Sequence, residues 1–217
     1  MDSRVSLCGR LAFACVVIAA PAAHADITVF TTQASFLAAV SAPGVDTFTG
    51  FSTTTVTGSP IMRAAGPYTY SASSATGFFG AGSAADPALS TQSDSDAITF
   101  FNLGGGANAI GGMFFGSDLQ GSFVASVVVL TATDTLGAIS MQTFVATPAS
   151  FIGFVSTSAI AMLVFSTSMP GNFVFPAVDN LTLAVGSVTA VPEPGTWTLL
   201  LAGLALLCFF ARRTRSA

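Results

Sequence analysis

The sequence contains no lysine, and most of its other reactive side chains are confined to its two ends. The three cysteines (Cys8, Cys15 and Cys208) and the single histidine, His24, all lie outside residues 26–190. That stretch also lacks glutamate and tryptophan, since Glu193 and Trp197 are the only ones in the chain. Each absence excludes something. Without cysteine there is no disulfide framework to staple the domain. Without His or Cys the usual zinc sites cannot form. With no His, Cys or Lys, a hydroxyl nucleophile has no base beside it, which excludes triad-type acyl transfer. A carboxylate pair for glycoside hydrolysis would have to be built from aspartates alone. The expectation is a protein that is not an enzyme and has no cofactor, with calcium as the one metal to consider.

Positive charge is equally scarce. Of six arginines only Arg63 falls within residues 26–190, against Asp26, Asp46, Asp86, Asp94, Asp96, Asp118, Asp134 and Asp179. Eight carboxylates against one guanidinium leave seven net negative charges. A nucleic-acid partner is excluded on that ground, because phosphate binding needs a basic patch.

What is present begins with two apolar segments at the ends. Residues 1–25 read as a secretory signal peptide: Arg4 and Arg10, an apolar run from Leu11 to Ala20, and a small-x-small cleavage pattern at Ala23-His24-Ala25. A retained anchor is the competing reading, and the run is short for one. At the other end stand Val191-Pro192-Glu193-Pro194-Gly195, an uncharged run to Ala211, and a basic end with Arg212, Arg213 and Arg215. As a helix, residues 195–211 would reach about 26 Å, just short of the ~30 Å hydrocarbon core. Trp197 stands where an interfacial aromatic belongs and the arginines where a cytoplasmic stop belongs. A core helix would show a polar face and would not end in Arg-Arg-Thr-Arg.

This three-part tail resembles the PEP-CTERM sorting signal of Gram-negative bacteria, carried by Val191, Pro192, Glu193 and Pro194, the short span, and the arginine cluster. The resemblance implies export, an inner-membrane intermediate, recognition by an exosortase (a membrane cysteine peptidase), and delivery to the cell surface or extracellular matrix, often in exopolysaccharide-producing bacteria. It concerns about an eighth of the chain.

Between the ends, about 165 residues can bury a core of their own. Short runs rich in Phe, Val, Ile, Thr and Tyr alternate with Gly, Ser, Asn, Asp and Pro, which predicts β structure. Strands are expected at 27–30, 45–51, 97–103, 109–116, 121–131, 139–146, 151–156, 160–166 and 172–185, and less strongly at 53–57, 67–72 and 76–80. One short helix is expected over 31–40, capped by Thr31 or Thr32 and ended by Pro43-Gly44. Residues 81–95, small and polar, read as an exposed loop. The spacing argues for an antiparallel sandwich. The body also resembles other PEP-CTERM ectodomains in Val45–Phe51, Phe151–Phe154 and Ala177–Leu183, and that resemblance implies a jelly-roll-like module. The whole is an all-β body over 26–190, with one short N-terminal helix, followed by a sorting and anchor segment over 191–217 with a transmembrane helix.

Candidate ligand residues are few. Asp46 and Asp179, near the ends of the opening and closing strands, are the calcium candidates, because calcium takes oxygen ligands only. Related ectodomains often carry Glu where Thr49 stands, so one ligand would be missing. Asp94-Ser95-Asp96 reads as a solvated turn. Gly104-Gly105-Gly106 reads as a loose connection. Arg63 is expected to make a surface ion pair worth little. Tyr68 and Tyr70, two apart and so on one strand face, are the candidates for a sugar contact. The leading expectation is a non-enzymatic surface or matrix protein. The alternative is a module that binds exopolysaccharide. Ice binding, suggested only by the threonines at 53–55 and 57, lacks the repeat that a flat array needs.

Overall fold

The computed structural model describes residues 26–147, 149–168, 173–187, 200 and 203–204. Residues 24–191 make one compact unit. The expected cleavage residues Ala23 and Ala25, the sorting residues 191–194, Trp197 and the terminal arginines lie outside the described residues. Of the expected membrane helix only residues 200, 203 and 204 are described, and they are helical. Among the described residues no helix is long and apolar enough to cross a membrane.

The elements in chain order are β1 (Ile27–Phe30), α1 (Gln33–Ala38), β2 (Val40–Asp46), β3 (Ile61–Ala65), β4 (Tyr68–Ser73), β5 (Phe78–Ser83), β6 (Asp86–Thr91) and β7 (Ile98–Phe101). They continue with β8 (Ala109–Ser117), β9 (Phe123–Val124), β10 (Val127–Asp134), β11 (Ile139–Val145), β12 (Phe151–Ser156), β13 (Ile160–Ser168) and β14 (Phe175–Gly186). The first sheet runs β1-β12-β8-β14-β6-β5, with β2 added to β14 and β9 to β8; the second runs β11-β10-β13-β7-β4-β3. All the strand pairs are antiparallel. The sheets face each other across one core, where Phe114 of β8 meets Phe165 of β13 edge to face at 5.1 Å. The body is thus an all-β, two-sheet structure, as the strand spacing predicts.

Burial follows the period of each strand. In β10, Val128, Leu130 and Ala132 point into the core while Val127, Val129, Thr131 and Thr133 are half-buried on the other face. β12 is different, since all six of its residues are buried. One face looks at the second sheet, and α1 covers the other. Thr32 caps α1 by accepting the Ser35 amide. Phe36 then drops onto β12, 6.1 Å from Phe30 and 5.4 Å from Phe151 between ring centroids. Full burial of such a side chain is worth roughly 1.5–3 kcal/mol.

Several expectations are corrected. The helix stops at Ala38, and the chain enters β2 at Val40, so Pro43-Gly44 lies inside a strand rather than ending a helix. That strand ends at Asp46, and residues 47–51 turn away with Phe48 at φ 52°. The 53–57 stretch contributes only one bridge, Thr57 to Phe78. β3 has no counterpart among the expected strands. Residues 81–95 are not an exposed loop. They include part of the β5–β6 hairpin, where Ala88, Leu89, Ser90 and Thr91 are buried. Leu89 faces the core between the sheets, whereas Ala88 packs with Ala81 and Ala177 in a separate cluster on the other face of the first sheet.

Gly153 shows how tight the helix contact is. A Cβ at this position would lie 2.3 Å from the Phe36 ring. We therefore expect Gly153→Ala to cost about 1–3 kcal/mol by overpacking and to lower the melting temperature by roughly 2–4 °C per kcal/mol. Gly58→Ala, where a Cβ meets nothing within 4 Å, should leave it within about 2 °C. Equal melting by calorimetry for the two variants would refute this account of the α1 contact.

Candidate functional site

The body's one cation sits at its best-defined polar site. β2, in the first sheet, ends on Asp46; β3 and β4, in the second, place Arg63 and Tyr70 directly opposite each other. Arg63 donates to Asp46 through Nε (2.6 Å) and through its η2 nitrogen (2.7 Å). The Tyr70 hydroxyl donates to Oδ2 at 2.7 Å, and the Phe48 amide to Oδ1 at 2.8 Å. Each carboxylate oxygen therefore accepts two hydrogen bonds. The rings of Phe48 and Phe51 close over the guanidinium, 5.2 and 5.8 Å from its carbon. Asp46 is 5% exposed and Arg63 23%. The pair is not the surface contact expected; it is a two-point link between sheets, largely out of water.

This geometry reassigns the other candidates. Tyr68 and Tyr70 do share a face, but it is the buried one, and Tyr68 donates its hydroxyl to the Ala42 carbonyl. Neither ring can stack on a sugar. The four lone-pair positions of Asp46 are occupied. Asp179 accepts from its neighbour Asn180 at both oxygens, through the amide and the side-chain nitrogen. Among the described residues no group of three or more His, Cys, Asp or Glu could hold a metal. Asp96 is buried rather than solvated and receives the Thr76 amide and hydroxyl. The 104–106 connection is not loose, because the Gly104 amide donates to the Thr69 carbonyl at 2.8 Å.

A second feature had no sequence signal. The β5–β6 hairpin, the turn between β8 and β9, and the start of β14 enclose a groove of about 210 Å³. Phe79, Phe175 and Leu119 line it together with Gln92 and Asp118. Asp118 Oδ1 accepts the Gln120 and Ser122 amides, and its Oδ2 takes no hydrogen bond among the described residues. The groove arises from segments far apart in the chain, so no local motif marks it.

Burial would raise Asp46, but hydrogen bonds from Arg63, Tyr70 and the Phe48 amide outweigh it and hold the carboxyl below its ordinary value of 3.8. Burial, together with the Asp46 charge, pushes Tyr70 well above its ordinary 10.0. Neither group is poised for proton transfer at neutral pH. A depressed carboxyl contributes stability that is present above pH 3.8 and lost as pH falls through the folded value. A raised phenol contributes stability present below pH 10.0 and lost at higher pH. Denaturant titrations should therefore show wild-type stability falling on both sides of this plateau. Asp46→Asn should cost about 3 kcal/mol at pH 7, the low end for stranding a buried partner, and shallow the acid limb. Tyr70→Phe should shallow the alkaline limb. Unchanged limbs in both variants would refute the assignment.

Comparison with known proteins bears on the tail alone. A family model of the PEP-CTERM protein-sorting motif matches residues 190–216. No curated protein and no solved structure matches the chain. The chain carries a PEP-CTERM sorting signal, which marks it for recognition by an exosortase and for export to the cell surface.

Proposed function

We propose that the chain is a non-enzymatic protein of the cell surface or extracellular matrix, held in the inner membrane by residues 195–211 until an exosortase acts near Pro192-Glu193-Pro194. The match over residues 190–216 is the observation that carries this reading. The composition of the body supports it, since residues 26–190 offer no histidine, cysteine or lysine for chemistry. We read the body as a jelly-roll-like module, in keeping with a chain that passes between sheets from β7 to β8 and again from β12 to β13 to β14. This reading places no calcium at Asp46 and Asp179, because Arg63 already neutralises Asp46 and Asn180 occupies both oxygens of Asp179.

The groove favours a second role, binding of a neutral sugar unit of an exopolysaccharide. Phe79 would supply an apolar face and Asp118 Oδ2 and Gln92 the polar partners, a combination typical of small-ligand sites. It replaces Tyr68 and Tyr70 as the place for such a contact.

Two experiments separate these parts. In the native host, replacing Pro192-Glu193-Pro194 by three alanines should move the protein from the surface fraction to the inner membrane. Unaltered surface display, scored by immunoblot of fractions, would defeat the sorting reading. In a pull-down on the host's purified exopolysaccharide, the wild-type surface form should be retained, and Phe79→Ala should weaken retention about tenfold, equivalent to 1.4 kcal/mol. Equal retention of the two would remove the groove from the account and leave sorting untouched.

A further inference from the structure

The two sheet orders end on β1, β5, β3 and β11. An open edge presents unpaired backbone groups and invites another strand, so proteins usually shorten, cover or charge it. Three of these edges are protected. β1 has only four residues. β5 is covered by the 52–57 segment, through the Thr57–Phe78 bridge and a 2.8 Å bond from the Gly80 amide to the Ser52 carbonyl. β3 follows Pro60 and carries Arg63, aimed inward at Asp46. β11 has none of these protections. It is seven residues long, reads Ile-Ser-Met-Gln-Thr-Phe-Val, and contains no proline and no charge. Among the described residues only β10 pairs with it. Its outward side chains are strongly exposed, with Ile139 at 68%, Met141 at 66% and Val145 at 69%.

The face that continues from this edge is also uncharged. The strand registers align Ile139, Thr133, Met162, Phe101, Ser71 and Met62 in one row across all six strands. In a body with seven net negative charges, this face is where two copies can meet without opposing carboxylates.

We infer that β11 is a self-association edge, pairing antiparallel with β11 of a second copy about a two-fold axis through Gln142. The occupant follows from the sequence of the strand itself. In that register Ile139 faces Val145 of the second copy and Met141 faces Thr143, on the exposed side. Ser140 faces Phe144, and Gln142 faces itself. The exposed pairs join β-branched or long apolar side chains of the kind that stabilise cross-strand neighbours. The contact is isologous and closes after two copies. A lipid surface would leave the backbone groups of the edge unpaired, whereas a second β11 satisfies them.

The axis makes one position diagnostic. Residue 142 alone meets its own copy, so Gln142→Lys and Gln142→Glu each place like charges opposite one another. The full-length chain, purified in detergent, should be a dimer by light scattering. Each variant alone should weaken dimerisation by about tenfold or more, since like charges directly opposite are destabilising. A mixture of the two variants should recover the dimer, which also shows that both fold. A monomeric wild-type chain, a dimer unaffected by either variant, or a mixture that fails to recover would each overturn the proposal.

Discussion

The Asp46–Arg63 link is the constraint on which the arrangement of the two sheets turns. Most of what joins the layers is apolar contact, which is non-directional and tolerates sliding. The carboxylate and guanidinium are not tolerant: two parallel hydrogen bonds require the end of β2 to stand at one place over β3. Tyr70 and the Phe48 amide complete the shell, so the buried charges leave no lone pair unsatisfied. Such a pair can be neutral in net stability and still specify one register over others. In a body with no cysteine between residues 26 and 190, it is the nearest thing to a cross-link between layers.

The same link explains the shape of the segment after β2. Asp46 accepts the amide two residues on, and Phe48 takes a left-handed backbone conformation at φ 52°. That conformation is costly for a bulky residue and persists only where surroundings enforce it. Here the burial of Phe48 and its contact with Arg63 supply the enforcement. The turn also releases β14 from β2 just where Leu181 pairs with Asp46. Beyond the irregularity at Asp179–Asn180, β14 takes β6 as its neighbour instead. One central strand thus serves two partners along the same side.

How much of this was legible depended on local chemistry. From β7 onward the strands stand out, because β-branched and aromatic runs are separated by Gly, Pro, Asp and Ser; β12 matches its expected span of Phe151–Ser156. In the β10–β11 hairpin, Asp134 accepts the Leu136 and Ala138 amides. The β6 strand was not legible, because Ala88, Ser90 and Thr91 have the composition of a loop and the burial of a core. Ala88 packs against Ala81 and Ala177 of other strands of its own sheet, and Ser90 bonds the Pro176 carbonyl, contacts that no local window reports. Tyr68 and Tyr70 failed for a related reason. Their shared face was readable from spacing, but its direction was not, since period-2 alternation does not say which side faces the core. Arg63 carried more information than composition suggested. A lone cation among eight carboxylates has many surface partners available, and only the three-dimensional crossing of β2 over β3 selects Asp46.

The order of the strands also bears on when this body can form. β14 lies in the middle of its sheet, between β8 on one side and β2 and β6 on the other. It ends at Gly186, four residues before the matched sorting segment begins at 190. Until that strand is available, β8 and β2 have no partner on the sides that face it, and Leu181, Leu183 and Val178 are missing from the core. Pairings this distant in sequence close late, because the loop entropy must be met before the contacts repay it. The body therefore cannot complete its core without β14, and β14 is the strand adjacent in sequence to the sorting segment.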